Sequence, residues 1–140
     1  DVALKNNLRV ILPLHPRTRK MMDQYLTEDV KKKIHGNHFV IIDPASFLEM
    51  IVLEQHAEIV ITDSGGVQKE AYYFKKPCII LRPETEWVEL VENGCAKICD
   101  ADPLKITTAF SELTQKTLNY PTVFGDGNDL DFHSKNFVKK

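Results

Sequence analysis

EIVITDSGGVQKEA, residues 58–71, decides the fold. Its apolar run from Ile59 to Ile61 reads as a strand buried on both faces; Thr62, Asp63 and Ser64 close it, and Gly65 and Gly66 open an amphipathic helix. A strand, a tight turn and a helix start in that order leave main-chain amides unpaired at the positive end of the helix dipole. Anions bind at such places, and two glycines let a diphosphate approach with no Cβ in the way. Glu70 follows Gly66 by four residues, so it lies one turn up on the same face, about 6 Å along the axis. That distance suits a nucleotide, with phosphate on the turn and a carboxylate accepting both hydroxyls of the ribose cis-diol. The same residues also make an ordinary turn and cap with Glu70 simply solvated, and spacing alone leaves both readings open.

Working outward, Leu8 to Leu14 reads as a first buried strand, followed by a loop of His15, Pro16 and Arg17 and a polar helix through about Ile34, broken near Thr27. His38 to Ile42 is a second strand. Asp43 and Pro44 turn it into a helix from Ser46 to about His56, with Phe47, Met50 and Ile51 read as core. Downstream, the central helix ends near Phe74, and Lys75 and Lys76 complement its dipole. Pro77 begins a fourth strand that delivers Arg82 to its carboxyl end, where Pro83 forces a loop containing Thr85 and Glu86. Trp87, Leu90 and Val91 mark the apolar side of a short helix ending at Gly94, and Cys95 to Cys99 is a fifth strand. Asp102 and Pro103 start a helix to about Leu118, and residues 119–140 form a tail with a GDGN turn and a weak helix near Phe132 to Val138.

Five short apolar strands alternate with helices, and no hairpin dipeptide joins any two strands. The pattern predicts an α/β fold, a Rossmann-like parallel sheet with helices on both faces. Ligands of such sheets bind outside the carboxyl ends of the strands. His15 with Arg17, Asp43, Ser64 with its glycines, and Arg82 with Thr85 and Glu86 all fall at those ends, so they can converge on one crevice.

Composition narrows the classes. A chain of 140 residues with 43% hydrophobic content supports one domain with a sizeable core. Eighteen Lys and Arg against 20 Asp and Glu give a net charge of −2, so the chain as a whole carries no electrostatic footprint for nucleic acid or a membrane. An anionic ligand has to be held locally. No apolar run approaches the roughly 20 residues of a membrane span, and no signal peptide is visible, which predicts a cytoplasmic protein. Cys78, Cys95 and Cys99 read as buried reduced thiols, neither a disulfide nor a metal site. The first strand follows the start so closely, with no initial Met, that the sequence reads as if cut from something longer.

TDSGGVQKEA at 62–71 and KPCIILRPETEWVELVENG at 76–94 closely resemble the C-terminal half of the non-hydrolysing UDP-N-acetylglucosamine 2-epimerase family. LPLHPRTR at 12–19 and YPTVFGDGN at 120–128 resemble two flanking blocks of that family in the right order. The better-known branch has an arginine where this chain has Trp87. The form ETEWVE is more similar to the branch acting on UDP-2,3-diacetamido-2,3-dideoxyglucuronate.

The resemblance implies the C-terminal half of a GT-B-like enzyme with two Rossmann-like domains and a sugar nucleotide in the cleft between them. Residues 1–118 would be the UDP-binding domain, lacking its first strand, with residues 119–140 as a tail. Such enzymes eliminate UDP from the anomeric carbon and add it back with C2 inverted. Ser64, Gly65 and Gly66 would hold the diphosphate and Glu70 the ribose, while the loop of Arg82, Thr85 and Glu86 would close over the sugar phosphate. His15 matches a histidine near the sugar nucleotide. The catalytic carboxylates would lie in an N-terminal domain absent here, so this chain alone is expected to be inactive. No metal or other cofactor is implied. The family likeness further implies a homodimer that makes bacterial surface-polysaccharide precursors. The alternatives are the donor domain of a GT-B glycosyltransferase, which usually carries an Asp-Gln pair that RPETEWVE lacks, and a non-catalytic UDP-sugar-binding module.

Overall fold

Every strand pairing among the described residues is parallel. The computed structural model describes residues 1–124. They divide into two compact units, Asp1–His56 and a second beginning at Ala57.

The first unit runs α1 (Val2–Lys5), β1 (Val10–Pro13), α2 (Pro16–Tyr25), α3 (Glu28–Ile34), β2 (Phe39–Ile42) and α4 (Phe47–His56). β1 and β2 pair in register from Val10 opposite Phe39 to Pro13 opposite Ile42. The break expected near Thr27 is real, because its hydroxyl leaves the helix and caps α3 by accepting from the Val30 N–H at 3.5 Å. Phe47 corrects the sequence reading. It is 69% exposed, while Met50 and Ile51 on the same stripe are half-buried. Helical periodicity assigns a residue to a face, but whether anything in the unit covers that face depends on packing.

The second unit continues with β3 (Val60–Thr62), α5 (Gly65–Tyr73), β4 (Cys78–Ile80), α6 (Val88–Glu92), β5 (Ala96–Ile98) and α7 (Pro103–Gln115). Its sheet has the order β3-β4-β5. Central β4 is buried throughout, and its Ile79 and Ile80 are 0% exposed. β3, expected to be buried on both faces, is an edge strand whose Ile61 is 44% exposed. Val60 points the other way into a core with Ala71, Tyr72, Ile80, Leu90 and Cys95.

All five expected strands form, yet their ladders close as two sheets, one in each unit. Strand and helix alternation specifies parallel pairing of neighbours and carries no information on whether a ladder continues from one unit to the next.

Helix ends confirm the turn chemistry. Gly94, at φ 72°, terminates α6 while the Cys95 N–H reaches back to the Leu90 carbonyl at 3.0 Å. Lys75 performs the same left-handed turn after α5 at φ 57°, with the Lys76 N–H on the Ala71 carbonyl at 2.8 Å. α7 stops at Gln115, short of the expected Leu118, because Lys116 is extended. Tyr72 donates its hydroxyl to the Pro121 carbonyl and packs its ring edgewise on Tyr120 and Phe124, which anchors residues 120–124 to α5. The GDGN turn and the weak helix near Phe132 lie outside the described residues.

Candidate functional site at the start of α5

The turn after β3 is built by its own hydroxyls. Thr62 Oγ1 accepts the Ser64 N–H at 3.0 Å, and Ser64 Oγ accepts the Val67 N–H at 3.4 Å as the cap of α5. The Gln68 N–H bonds the Ser64 carbonyl at 3.1 Å and starts the regular helix. Two donors remain: neither the Gly65 nor the Gly66 N–H has an acceptor among the described residues. No acidic residue stands in the first turn of α5 to neutralise them.

The two glycines serve different purposes. A Cβ on Gly65 would come within 1.8 Å of Glu86 Oε1, so the absence of a side chain there lets this chain's own loop approach closely, and any larger residue obliges the flexible Glu86 carboxylate to move. A Cβ on Gly66 would meet only Ser64 Oγ, at 3.8 Å, and otherwise open space. The uncrowded position of the two is Gly66.

The covering loop comes from β4. The Leu81 N–H still bonds the Thr62 carbonyl at 2.9 Å, Pro83 ends the ladder, and Arg82 turns back to place Nη1 3.0 Å from Glu86 Oε2. This pair is half-exposed, with side-chain exposures of 36% and 48%, so its value lies in placing charge more than in stability. The Thr85 hydroxyl donates to Gln68 Oε1 at 2.6 Å and accepts the Trp87 N–H at 3.1 Å. The Trp87 indole donates to the Gly65 carbonyl at 2.8 Å. The Lys69 ammonium lies 4.8 Å from the Trp87 ring centroid and 5.1 Å from that of Phe124.

Ser64, Gly65, Gly66, Arg82, Thr85 and Glu86 therefore meet at one helix start. Glu70 lies one turn further along the same helix, half-buried, and its carboxylate makes no hydrogen bond or ion pair among the described residues. His15 belongs to the first unit, where its Nδ1 accepts the Arg17 N–H at 3.2 Å and caps α2. Asp43, also in the first unit, pairs with Arg19 at 3.7 Å and not with Arg17.

Two participants escaped the sequence reading. Gln68 is 0% exposed, and Trp87, read only as an apolar helix residue, stands just before α6 and ties the loop to Gly65. The signal for Gln68 was an uncharged amide on the stripe it shares with buried Ala71 and Tyr72. Cys78, Cys95 and Cys99 are all buried, and none is in a disulfide among the described residues. Burial pushes Cys95 and Cys99 above the ordinary thiol range, which keeps them protonated and poor nucleophiles.

The family model for UDP-N-acetylglucosamine 2-epimerase matches residues 1–131. A UDP-N-acetylglucosamine 2-epimerase homolog from Methanococcus maripaludis is 42% identical over 129 residues, covering 91% of this chain and 35% of the relative. The UDP-2,3-diacetamido-2,3-dideoxy-D-glucuronate 2-epimerase of Pseudomonas aeruginosa is 51% identical over 85 residues, 61% of this chain and 22% of the relative. The solved structure of the Methanocaldococcus jannaschii UDP-GlcNAc 2-epimerase in complex with UDP-GlcNAc and UDP superposes with a TM-score of 0.82 at 31% identity. That superposition covers 99% of this chain and 38% of the other. The chain spans about a third of the length of the curated relatives it matches, 35% and 34% for the first two.

Proposed function

The chain belongs to the UDP-N-acetylglucosamine 2-epimerase family, and from that premise we propose that it is the UDP-sugar-binding part of an enzyme inverting C2 of a UDP-N-acetylhexosamine. The observation that carries this reading is the pair of amides at Gly65 and Gly66 that no acceptor among the described residues claims, with open space at Gly66 and the Arg82–Glu86 pair over Gly65. Elimination of UDP from the anomeric carbon puts negative charge on a departing diphosphate, and preorganised N–H groups at a helix start are suited to receive it.

The chain's residues divide the work. The Gly65 and Gly66 amides take the diphosphate and the Glu70 carboxylate takes the ribose diol. A phosphate oxygen on Gly65 requires the Glu86 carboxylate to leave that α-carbon, which releases the Arg82 guanidinium to follow the incoming charge. The base for the C2 proton is supplied by the remainder of the enzyme, in a second domain that closes the cleft. The intact protein on this reading is a cytoplasmic homodimer supplying surface-polysaccharide precursors. Among the described residues no helix is long and apolar enough to cross a membrane.

Two measurements test the proposal. The full-length protein incubated in deuterated water with UDP-GlcNAc or UDP-2,3-diacetamido-2,3-dideoxyglucuronate should exchange the C2 proton; absence of exchange with every candidate UDP-sugar sinks the epimerase reading. In the same protein Glu70→Ala should weaken UDP by about 1.5 to 3 kcal/mol in titration calorimetry, the range for hydrogen bonds to a charged group. Unchanged affinity removes the ribose assignment.

A further inference from the structure

Gln68 is 0% exposed, and its Nε2 is buried with no hydrogen-bond partner among the described residues. A buried amide donor left unmatched costs about 1 to 3 kcal/mol. A side chain present only to fill space gains nothing from that cost, whereas one whose Oε1 must stand at a fixed point does. That oxygen is 2.6 Å from the Thr85 hydroxyl.

We propose that Gln68 is a positioning residue that sets the 82–87 loop over the start of α5 through Thr85 and Trp87, and that Thr85 holds the loop and not the phosphate. The inference rests on the nucleotide reading of the α5 start. A threonine hydroxyl has one hydrogen, and here it is donated to Gln68. The same oxygen accepts the Trp87 N–H at 3.1 Å, which leaves it a lone pair and no donor to offer an anion. Trp87, so held, donates its indole N–H to the Gly65 carbonyl at 2.8 Å. The path from Gln68 through Thr85 and Trp87 to Gly65 thus begins and ends on α5. Arg82 and Glu86 lie on the loop it pins, so the charge they place near Gly65 depends on a carboxamide with no exposed surface.

Trp87 is the only tryptophan of the chain, so the 140-residue protein gives a single indole N–H signal in a proton–nitrogen spectrum. In the ligand-free protein, Gln68→Leu and Thr85→Val should each speed hydrogen exchange of that indole by about tenfold, and Thr85→Ser, which keeps the hydroxyl, should restore it. In UDP titrations each of the first two variants should lose about tenfold in affinity, and the double variant no more than either, since both break one path. Faster indole exchange with UDP affinity unchanged reduces the network to local structure and overturns the proposal. Losses that multiply in the double variant show Thr85 touching the ligand by itself, which also overturns it. A full-length wild-type enzyme that takes no UDP at tens of millimolar removes the nucleotide reading, and the positioning role with it, while the indole exchange still reports whether the path exists. Should Gln68→Leu fail to fold, the Thr85→Val and Thr85→Ser pair decides the same question.

Discussion

α5 and α7 begin in the same way in the same unit, each after the carboxyl end of a parallel strand and each behind a capping side chain, yet only one start is open. At α7, Pro103 has no N–H, and Asp102 Oδ1 accepts both the Leu104 N–H at 2.9 Å and the Lys105 N–H at 3.2 Å. Its positive end is filled by a charge from its own chain. At α5 the cap is a neutral hydroxyl that takes a single N–H, and the next two residues are glycines whose amides stay unclaimed. A dipole shared by every helix becomes an anion site only where the chain declines to use it.

Making α5 resemble α7 is the strongest way to break this contrast. Ser64→Asp should leave stability within about 0.5 kcal/mol, because aspartate and serine are comparable N-caps. It also sets a carboxylate where the diphosphate is proposed to bind, and two like charges 4 Å apart near a protein surface repel by about 4 kcal/mol. Allowing for partial relaxation, UDP should bind about a hundredfold more weakly in titration calorimetry while thermal melting is unchanged. Affinity retained in this variant places the phosphate somewhere other than the α5 start.

Gly65→Pro sharpens the same point by removing a single amide donor. Ser64 is already extended at φ −87° and ψ 125°, as a residue before proline must be, and the first helical position accepts proline. The new ring carbon meets the Glu86 carboxylate, but Gly65→Ala meets it equally and keeps the N–H. The proline variant should therefore bind UDP about 1.5 to 3 kcal/mol more weakly than the alanine variant, the worth of one hydrogen bond to a charged group. Equal affinities mean that the Gly65 amide takes no part.

How much of this was legible before the structure depends on the range of the interaction. Ser64, the two glycines and the Asp102–Pro103 start are local grammar, readable from side-chain chemistry two or three residues away. The cap at Thr27 and the turn at Gly94 belong to the same class. The exposure of Phe47 and Ile61 was not legible, because covering a face requires a partner that periodicity does not name. Nor was the Thr85 bond to Gln68, which joins residues 17 apart, or the indole of Trp87 on Gly65, 22 apart. Arg82, Thr85 and Glu86 were identified by their place at a strand end. Their partners were set by how the loop folds back, and Thr85 in consequence faces a helix side chain.

The smallest test asks whether the contrast is local. Asp102→Ala removes the carboxylate that closes α7 and frees the Leu104 and Lys105 amides. Loss of an aspartate cap costs about 1 kcal/mol, readable as a lower melting temperature and a lower denaturant midpoint with the slope unchanged. No anion site should open in its place, because Pro103 still contributes no N–H and the following positions carry the side chains of Leu104 and Lys105 where α5 has bare glycine. UDP affinity should stay within about 0.5 kcal/mol of the parent protein, as expected for independent sites. A fall in affinity that tracks the loss of stability would mean that the two helix starts respond as one body, and the openness of α5 would then be a property of the whole unit instead of three residues in a turn.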